Sequence, residues 1–261
     1  MLKKRLVGVV TVRNGWAVQS FGYRRYLPLG RPETLVENLD RWGVDEILVQ
    51  SIDRTAAGLG PDFDLLDRLA RLGLGTPLIY GGGIRDAEDG VQVVQRGADR
   101  VTVDALLHDD LTMVRRLSDQ LGAQAVIAAM PVTAAAGGLL HLDYRRREEF
   151  PWPEAVAQAI EGGVVSEVLL VDWRHEGSPA AFDEAIVNAM PCKGVALIVF
   201  GGISQVAQMR SLLARPQVAA IAVGNFLSYR EHAVQEYRNE LASAALRPST
   251  YATEYSLIRD V

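Results

Sequence analysis

The chain repeats itself. Tyr80-Gly81-Gly82-Gly83-Ile84 returns as Phe200-Gly201-Gly202-Ile203, and Val103-Asp104-Ala105-Leu106-Leu107 returns as Val223-Gly224-Asn225-Phe226-Leu227. Asp45-Glu46-Ile47-Leu48-Val49 returns as Ser166-Glu167-Val168-Leu169-Leu170. The matched residues Gly83/Gly202, Val103/Val223 and Glu46/Glu167 stand 119, 120 and 121 positions apart. Self-similarity at one spacing marks a duplicated structural unit, and here it covers nearly the whole chain. Any fold for this sequence has to be buildable from two similar halves.

Each half holds four apolar, β-branched runs. They are Leu6–Val12, Glu46–Ile52, Pro77–Tyr80 and Arg100–Val103, then Ala125–Ala129, Val168–Asp172, Ala196–Phe200 and Ala219–Val223. Most are apolar throughout, as strands of a parallel sheet covered by helices are. Helical stretches separate them: Pro32–Gly43, Asp62–Leu72, Asp86–Gly97, Leu111–Leu121, Pro153–Gly162, Ala180–Ala189, Gln205–Ala214 and Tyr229–Ala244. The first opens on Pro and closes on Gly, the asymmetry that helix ends prefer. Eight strand–helix alternations predict a (β/α)8 barrel, and 261 residues match the ~250 typical of one. The expected organisation is a single domain of half-barrels at about 1–122 and 123–245 with a tail at 246–261. Thr133–Pro153 reads as an extra loop, its run Arg145-Arg146-Arg147-Glu148-Glu149 a solvated face.

Glycines sit where such a barrel binds anions. Gly82 and Gly83 follow the third strand; Gly201 and Gly202 follow the seventh; Gly224 and Asn225 follow the eighth. A turn without Cβ atoms lets backbone N–H groups approach a phosphate, and the next helix N-terminus adds partial positive charge. Two such turns fit a ligand with two anionic ends. Asp104 belongs to the first corner by position, although its charge would repel an anion. The mouth also carries Gln50, Ser51, Asp53 and Arg54, and Asp172, Arg174 and His175. Asp53 and Asp172 are the candidate acid–base groups. His108, His141 and His232 lack metal-ligand spacing and read as surface residues, so no metal is expected. Nothing in the sequence calls for a cofactor, and a nucleophile elbow is absent.

A net charge of −5 with both signs interspersed argues against nucleic acid or an anionic membrane as partner. No apolar run approaches the ~20 residues of a membrane span. The N-terminus has no signal-peptide pattern, and the one cysteine, Cys192, reads as a small loop residue that cannot form an internal disulfide. The expected location is cytoplasmic.

Met1-Leu2-Lys3-Lys4-Arg5, Asn14-Gly15, Gly43-Val44-Asp45-Glu46, Gly81-Gly82-Gly83-Ile84-Arg85 and Gly97-Ala98-Asp99-Arg100 resemble the cyclase subunit of imidazole glycerol phosphate synthase. The resemblance spans nearly the whole chain. It implies a class I glutaminase docked on the N-terminal face of the barrel and a gate of four charged residues there. The matching positions are Arg5, Glu46, Arg100 and Glu167, with Arg100 where the family usually has Lys. The resemblance also implies two acid–base aspartates at the mouth. Thr11 stands at the first position, and the second falls at Met130-Pro131; a third family carboxylate is replaced by Ser51. Thr and Pro cannot relay a proton near neutral pH.

Phe21-Gly22-Tyr23-Arg24-Arg25-Tyr26 and Leu246-Arg247-Pro248 resemble a divergent branch of the family, encoded with surface-polysaccharide (lipopolysaccharide) genes. That branch implies ammonia delivery to an ATP-dependent amidotransferase making acetamidino sugars. The leading expectation is therefore an ammonia-channelling subunit with a phosphorylated or nucleotide-linked sugar as ligand. The alternatives are a cyclase or lyase acting on a phosphosugar through Asp53 or Asp172, and a non-catalytic phosphate-binding barrel that scaffolds a partner.

Overall fold

The computed structural model describes residues 3–228, 232–241 and 246–247. The ends of the expected helix Tyr229–Ala244, Met1-Leu2, Pro248 and nearly all of the tail lie outside the described residues. In chain order the elements are β1 (Arg5–Arg13), β2 (Trp16–Phe21), β3 (Arg25–Gly30), α1 (Pro32–Trp42), β4 (Glu46–Ser51), α2 (Phe63–Ala70), β5 (Leu78–Gly81), α3 (Ala87–Gln95), β6 (Arg100–Val103), α4 (Ala105–Asp109) and α5 (Leu111–Leu121). The second half follows with β7 (Val126–Ala135), β8 (Gly138–Asp143), β9 (Glu148–Pro151), α6 (Glu154–Glu161), β10 (Glu167–Asp172), α7 (Ala185–Ala189), β11 (Ala196–Phe200), α8 (Val206–Leu213), β12 (Val218–Val223) and α9 (Ala233–Glu240).

Eight strands close on themselves in the order β1-β4-β5-β6-β7-β10-β11-β12, all parallel, with β12 returning to β1 and β7 joined to β10. This is the expected (β/α)8 barrel. Apolar side chains fall into two layers. An outer layer packs strands against helices, as Val10, Ile47, Val49 and Tyr80 do. An inner layer fills the barrel with Val7, Leu48, Ile79, Ile127, Leu169, Ile198 and Ala220. Three helices begin where a short polar side chain caps them: Asp62 accepts from Leu65 N–H, Asp86 from Asp89 N–H and Asp110 from Thr112 and Met113 N–H.

Three expectations need correction. Thr133–Pro153 is a hairpin: β7 runs beyond the barrel and pairs antiparallel with β8, which pairs with β9. Its charge run is a solvated face as expected, with Arg145 bonded to Asp109 and Asp143, and Glu149 to Arg174. The first half has the matching hairpin, β1-β2-β3, at 13–30, where no strand was expected. The helix expected at Ala180–Ala189 is only α7. Its first turn is lost because Ala181 and Phe182 N–H donate to Gly202 O and Asp183 N–H donates to Asp172.

Candidate site at the two ends of the barrel

Four charges close a ring at the N-terminal end. Arg5 bonds Glu46 at 2.8 Å and also bonds Glu167, while Arg100 reaches Glu46 at 3.3 Å and Glu167 at 2.6 Å. Each sits at the start of β1, β4, β6 or β10, so strand register brings them together. The side chains are only 8–13% exposed. A buried pair that loses one member leaves an uncompensated charge, at a cost of about 3–5 kcal/mol. Burial pushes the Glu46 carboxyl up, against the pull of both arginines.

At the C-terminal end is a cavity of about 460 Å³. Gly82, Gly83, Asp53 and Asp104 line it, with Gln50, Ser51, Thr102 and Pro131. Gln50 Oε1 is buried with no partner among the described residues. Both hairpins add to the wall: Arg13, Tyr23 and Tyr26 from the first, Tyr144 and Arg147 from the second. Arg13 and Arg147 were missed in the sequence because the hairpins that carry them were missed, yet they bring positive charge to the glycine turn. Asp53 accepts the N–H of Asn14 at 2.8 Å, and Gly83 donates its N–H to Thr55 Oγ1 at 2.9 Å. Arg54 is used elsewhere, donating to Gly60 and Pro61 carbonyls.

The second set of mouth residues does not line this cavity. Asp172, fully buried, bonds His175 Nδ1 at 2.7 Å and Asp183 N–H at 2.8 Å. Burial pushes its carboxyl up, and those bonds oppose the shift. Gly201 packs on Asp172 O and Gly202 on the 175–182 segment. Gly224 borders a separate cavity of about 230 Å³ beside α1. Both ends of the Asn225 amide engage the Ser20 backbone, Nδ2 to the carbonyl at 2.5 Å and Oδ1 to the N–H at 3.2 Å. Glu176 beside it accepts from Ser20 Oγ at 2.9 Å. The first hairpin thus lies against Asn225 and the Glu176-Gly177 turn.

The histidine reading is corrected as well. His108 and His141 are not isolated surface residues: their Nε2 atoms are 3.0 Å apart, and His141 is 1% exposed. Both face Asp104. A sequence search for short ligand spacing misses them because 33 residues separate the histidines and a hairpin brings them together. Burial, helped by His141, pushes the His108 imidazole down to about 4. Burial pushes the Asp104 carboxyl up. His232 remains an exposed residue.

Thr11 lies at the rim end of β1, paired with Gln50, and Pro131 in β7 lines the cavity. Neither supplies a titratable group. Among the described residues no helix is long and apolar enough to cross a membrane.

A duplicated (β/α)8 barrel with glycine turns at its mouth and a charged ring at its base defines the class: a barrel of the kind whose sites are built at the C-terminal face. The sequence profile described as "Histidine biosynthesis protein" matches residues 5–233, and the chain belongs to that family. It is 26% identical over 252 residues to a Vibrio vulnificus strain YJ016 protein provisionally named imidazole glycerol phosphate synthase subunit hisF2, covering 94% of this chain and 91% of the relative. A like-named protein of Pseudomonas aeruginosa PAO1 is 25% identical, covering 89% of this chain and 94% of its own length. The imidazole glycerol phosphate synthase subunit HisF of Alkaliphilus metalliredigens QYMF is 26% identical, covering 92% and 96%.

Proposed function

We propose that this chain is the barrel subunit of a glutaminase-coupled synthase. A class I glutaminase docks on the N-terminal face, and ammonia enters through the Arg5–Glu46–Arg100–Glu167 ring. The ammonia serves amidination of a surface-polysaccharide sugar, in concert with an ATP-dependent amidotransferase. A phosphorylated or nucleotide-linked sugar occupies the mouth, held by the Gly82-Gly83 turn with Arg13 and Arg147. The work is done in the cytoplasm. The observation that carries this reading is the buried, fully paired ring at the end opposite the cavity. The names of the relatives, subunits of a synthase, support it.

Thr11 and Pro131 argue against the ring-closing chemistry of the histidine pathway. Loss of a positioned acid or base costs ~10²–10⁴-fold each, so turnover of the histidine-pathway intermediate with free ammonium is expected to be undetectable. The coupling is tested by mixing the barrel with its genomically adjacent glutaminase. Size exclusion is expected to show a stable complex, and glutamine hydrolysis to rise on mixing. Because the ring is buried, Arg5→Ala confounds coupling with folding. Arg5→Lys and Arg100→Lys keep the charge and are expected to change ammonia transfer per glutamine hydrolysed. No complex, or charge-preserving variants that lower stability and leave coupling intact, makes the ring structural.

A second reading is favoured by Asp53, which shares the cavity with two arginines and a glycine turn. In that reading the barrel itself is a lyase on a phosphosugar. Partner-independent turnover lost in Asp53→Asn would select it.

A further inference from the structure

Three ligand-type atoms converge where the second hairpin meets the barrel rim. Asp104 follows β6, His108 lies one turn later on α4, and His141 hangs from β8. The two Nε2 atoms are 3.0 Å apart; Asp104 Oδ1 is 3.5 Å from His141 Nε2 and 4.0 Å from His108 Nε2. Ligand atoms at ~2.0–2.1 Å from a tetrahedral ion stand about 3.3 Å from each other. The edges of this triangle bracket that spacing.

Hydrogen bonding alone leaves the cluster unsatisfied. One proton at most fits between two Nε2 atoms that face each other, so one imidazole donates and the other accepts. The Asp104 carboxylate, 18% exposed, has only these imidazoles within ion-pair distance among the described residues. The nearby guanidinium of Arg145 is taken by Asp109, at 2.5 and 2.9 Å, and by Asp143 at 3.2 Å. A half-buried carboxylate favours a compensating positive charge. A dication at the centre of the triangle would accept both imidazole lone pairs and neutralise the carboxylate together.

We propose that Asp104, His108 and His141 form a site for a divalent transition metal of the zinc class, pinning the β8–β9 hairpin to α4. Two imidazoles with one carboxylate suit borderline ions over magnesium or calcium, which favour all-oxygen sets. Phe150 walls the site, its ring 5.1 Å from His141 and 5.7 Å edge-on from His108, and keeps the imidazoles oriented. Three protein ligands leave a position for water or a ligand atom, and Asp104 also lines the mouth cavity. The site stands independently of any glutaminase partner.

The test uses tag-free, full-length protein stripped with a chelator. Zinc chloride is titrated by calorimetry, and cobalt(II) is followed by its visible absorption. The expected result is one ion per chain, with affinity lowered more than about 10-fold in His108→Ala and in Asp104→Asn, since even second-shell changes cost 10–100-fold. His141→Ala opens a hole in a closed site, so the other two variants, checked for native circular dichroism, carry the test. Wild-type protein that shows no saturable zinc binding overturns the proposal. So does binding of equal affinity in wild type and both variants, which would place the ion elsewhere.

Discussion

The two seams between the half-barrels are built alike and filled differently. At each, a hairpin rising from the first strand of one half leans on the loop that leaves the last strand of the other. At the β12–β1 seam, β2 meets Asn225 and Glu176, and the contact is a backbone clasp through the Ser20 N–H and carbonyl. At the β6–β7 seam, β8 meets Asp104 and His108, and the contact is made by titratable side chains. Duplication supplies the position of a contact but not its chemistry. One copy has become a latch of amide hydrogen bonds with a single carboxylate, Glu176, beside them. The other retains groups that can hold an ion, and it is this one that opens onto the larger cavity.

The equivalence of the halves is tested most severely at the glycine turns. A Cβ at Gly82 (φ 121°) would stand 2.2 Å from Ser51 O, and one at Gly201 (φ 107°) 2.4 Å from Asp172 O. Backbone strain and overpacking each cost about 1–3 kcal/mol. Gly82→Ala and Gly201→Ala are expected to lose similar amounts, roughly 2–6 kcal/mol, in urea unfolding. A loss confined to one of them would break the symmetry.

The seams themselves come next. Asn225→Ala strips two partners from a buried backbone and is expected to cost about 1–3 kcal/mol. His108→Ala is expected to cost less in chelator. With zinc at 100 times the dissociation constant, wild type and Asn225→Ala both gain about 2.7 kcal/mol by mass action, and His108→Ala, at least about 10-fold weaker, gains no more than about 1.4 kcal/mol. Thermal unfolding with and without zinc reads the difference. Equal gains in all three would erase the distinction between latch and ion site.

The smallest effect concerns pH. Burial holds the Glu176 carboxyl above its usual range, while Ser20 and the N–H groups of Tyr23 and Gly22 pull it back. A carboxyl raised on folding favours the fold while protonated, and that contribution is lost as pH rises through the folded value. Glu176→Gln is expected to flatten the fall in stability between the ordinary carboxylate range and neutrality. Parallel curves for the two proteins would remove Glu176 as a pH-sensitive part of the latch.

The barrel was legible because each of its strands is a continuous apolar run and its glycines recur at one spacing. Arg5, Glu46, Arg100 and Glu167 were legible through the resemblance, and strand register then brought them together. The hairpins were not. Val18-Gln19-Ser20 and Leu139-Leu140-His141 are short and mixed, although Asn14-Gly15 between Arg13 and Trp16 is a two-residue hairpin signal that could have found the first. Everything the hairpins carry was hidden with them: Arg13, Arg147, the Ser20 clasp and the meeting of His108 with His141. Long-range side-chain clusters of this kind have no local period, so they become visible only when the chain is folded.

The inner layer of the barrel has a further consequence. Val7, Val9, Leu48, Ile79, Ile127, Leu169, Val171, Ile198 and Phe200 fill the space between the ring and the mouth with hydrocarbon. Carrying a bare charge through such a medium costs tens of kcal/mol by Born solvation. The barrel is thus an electrical insulator between its two ends. An ammonium ion or a free proton would meet that barrier just above the ring.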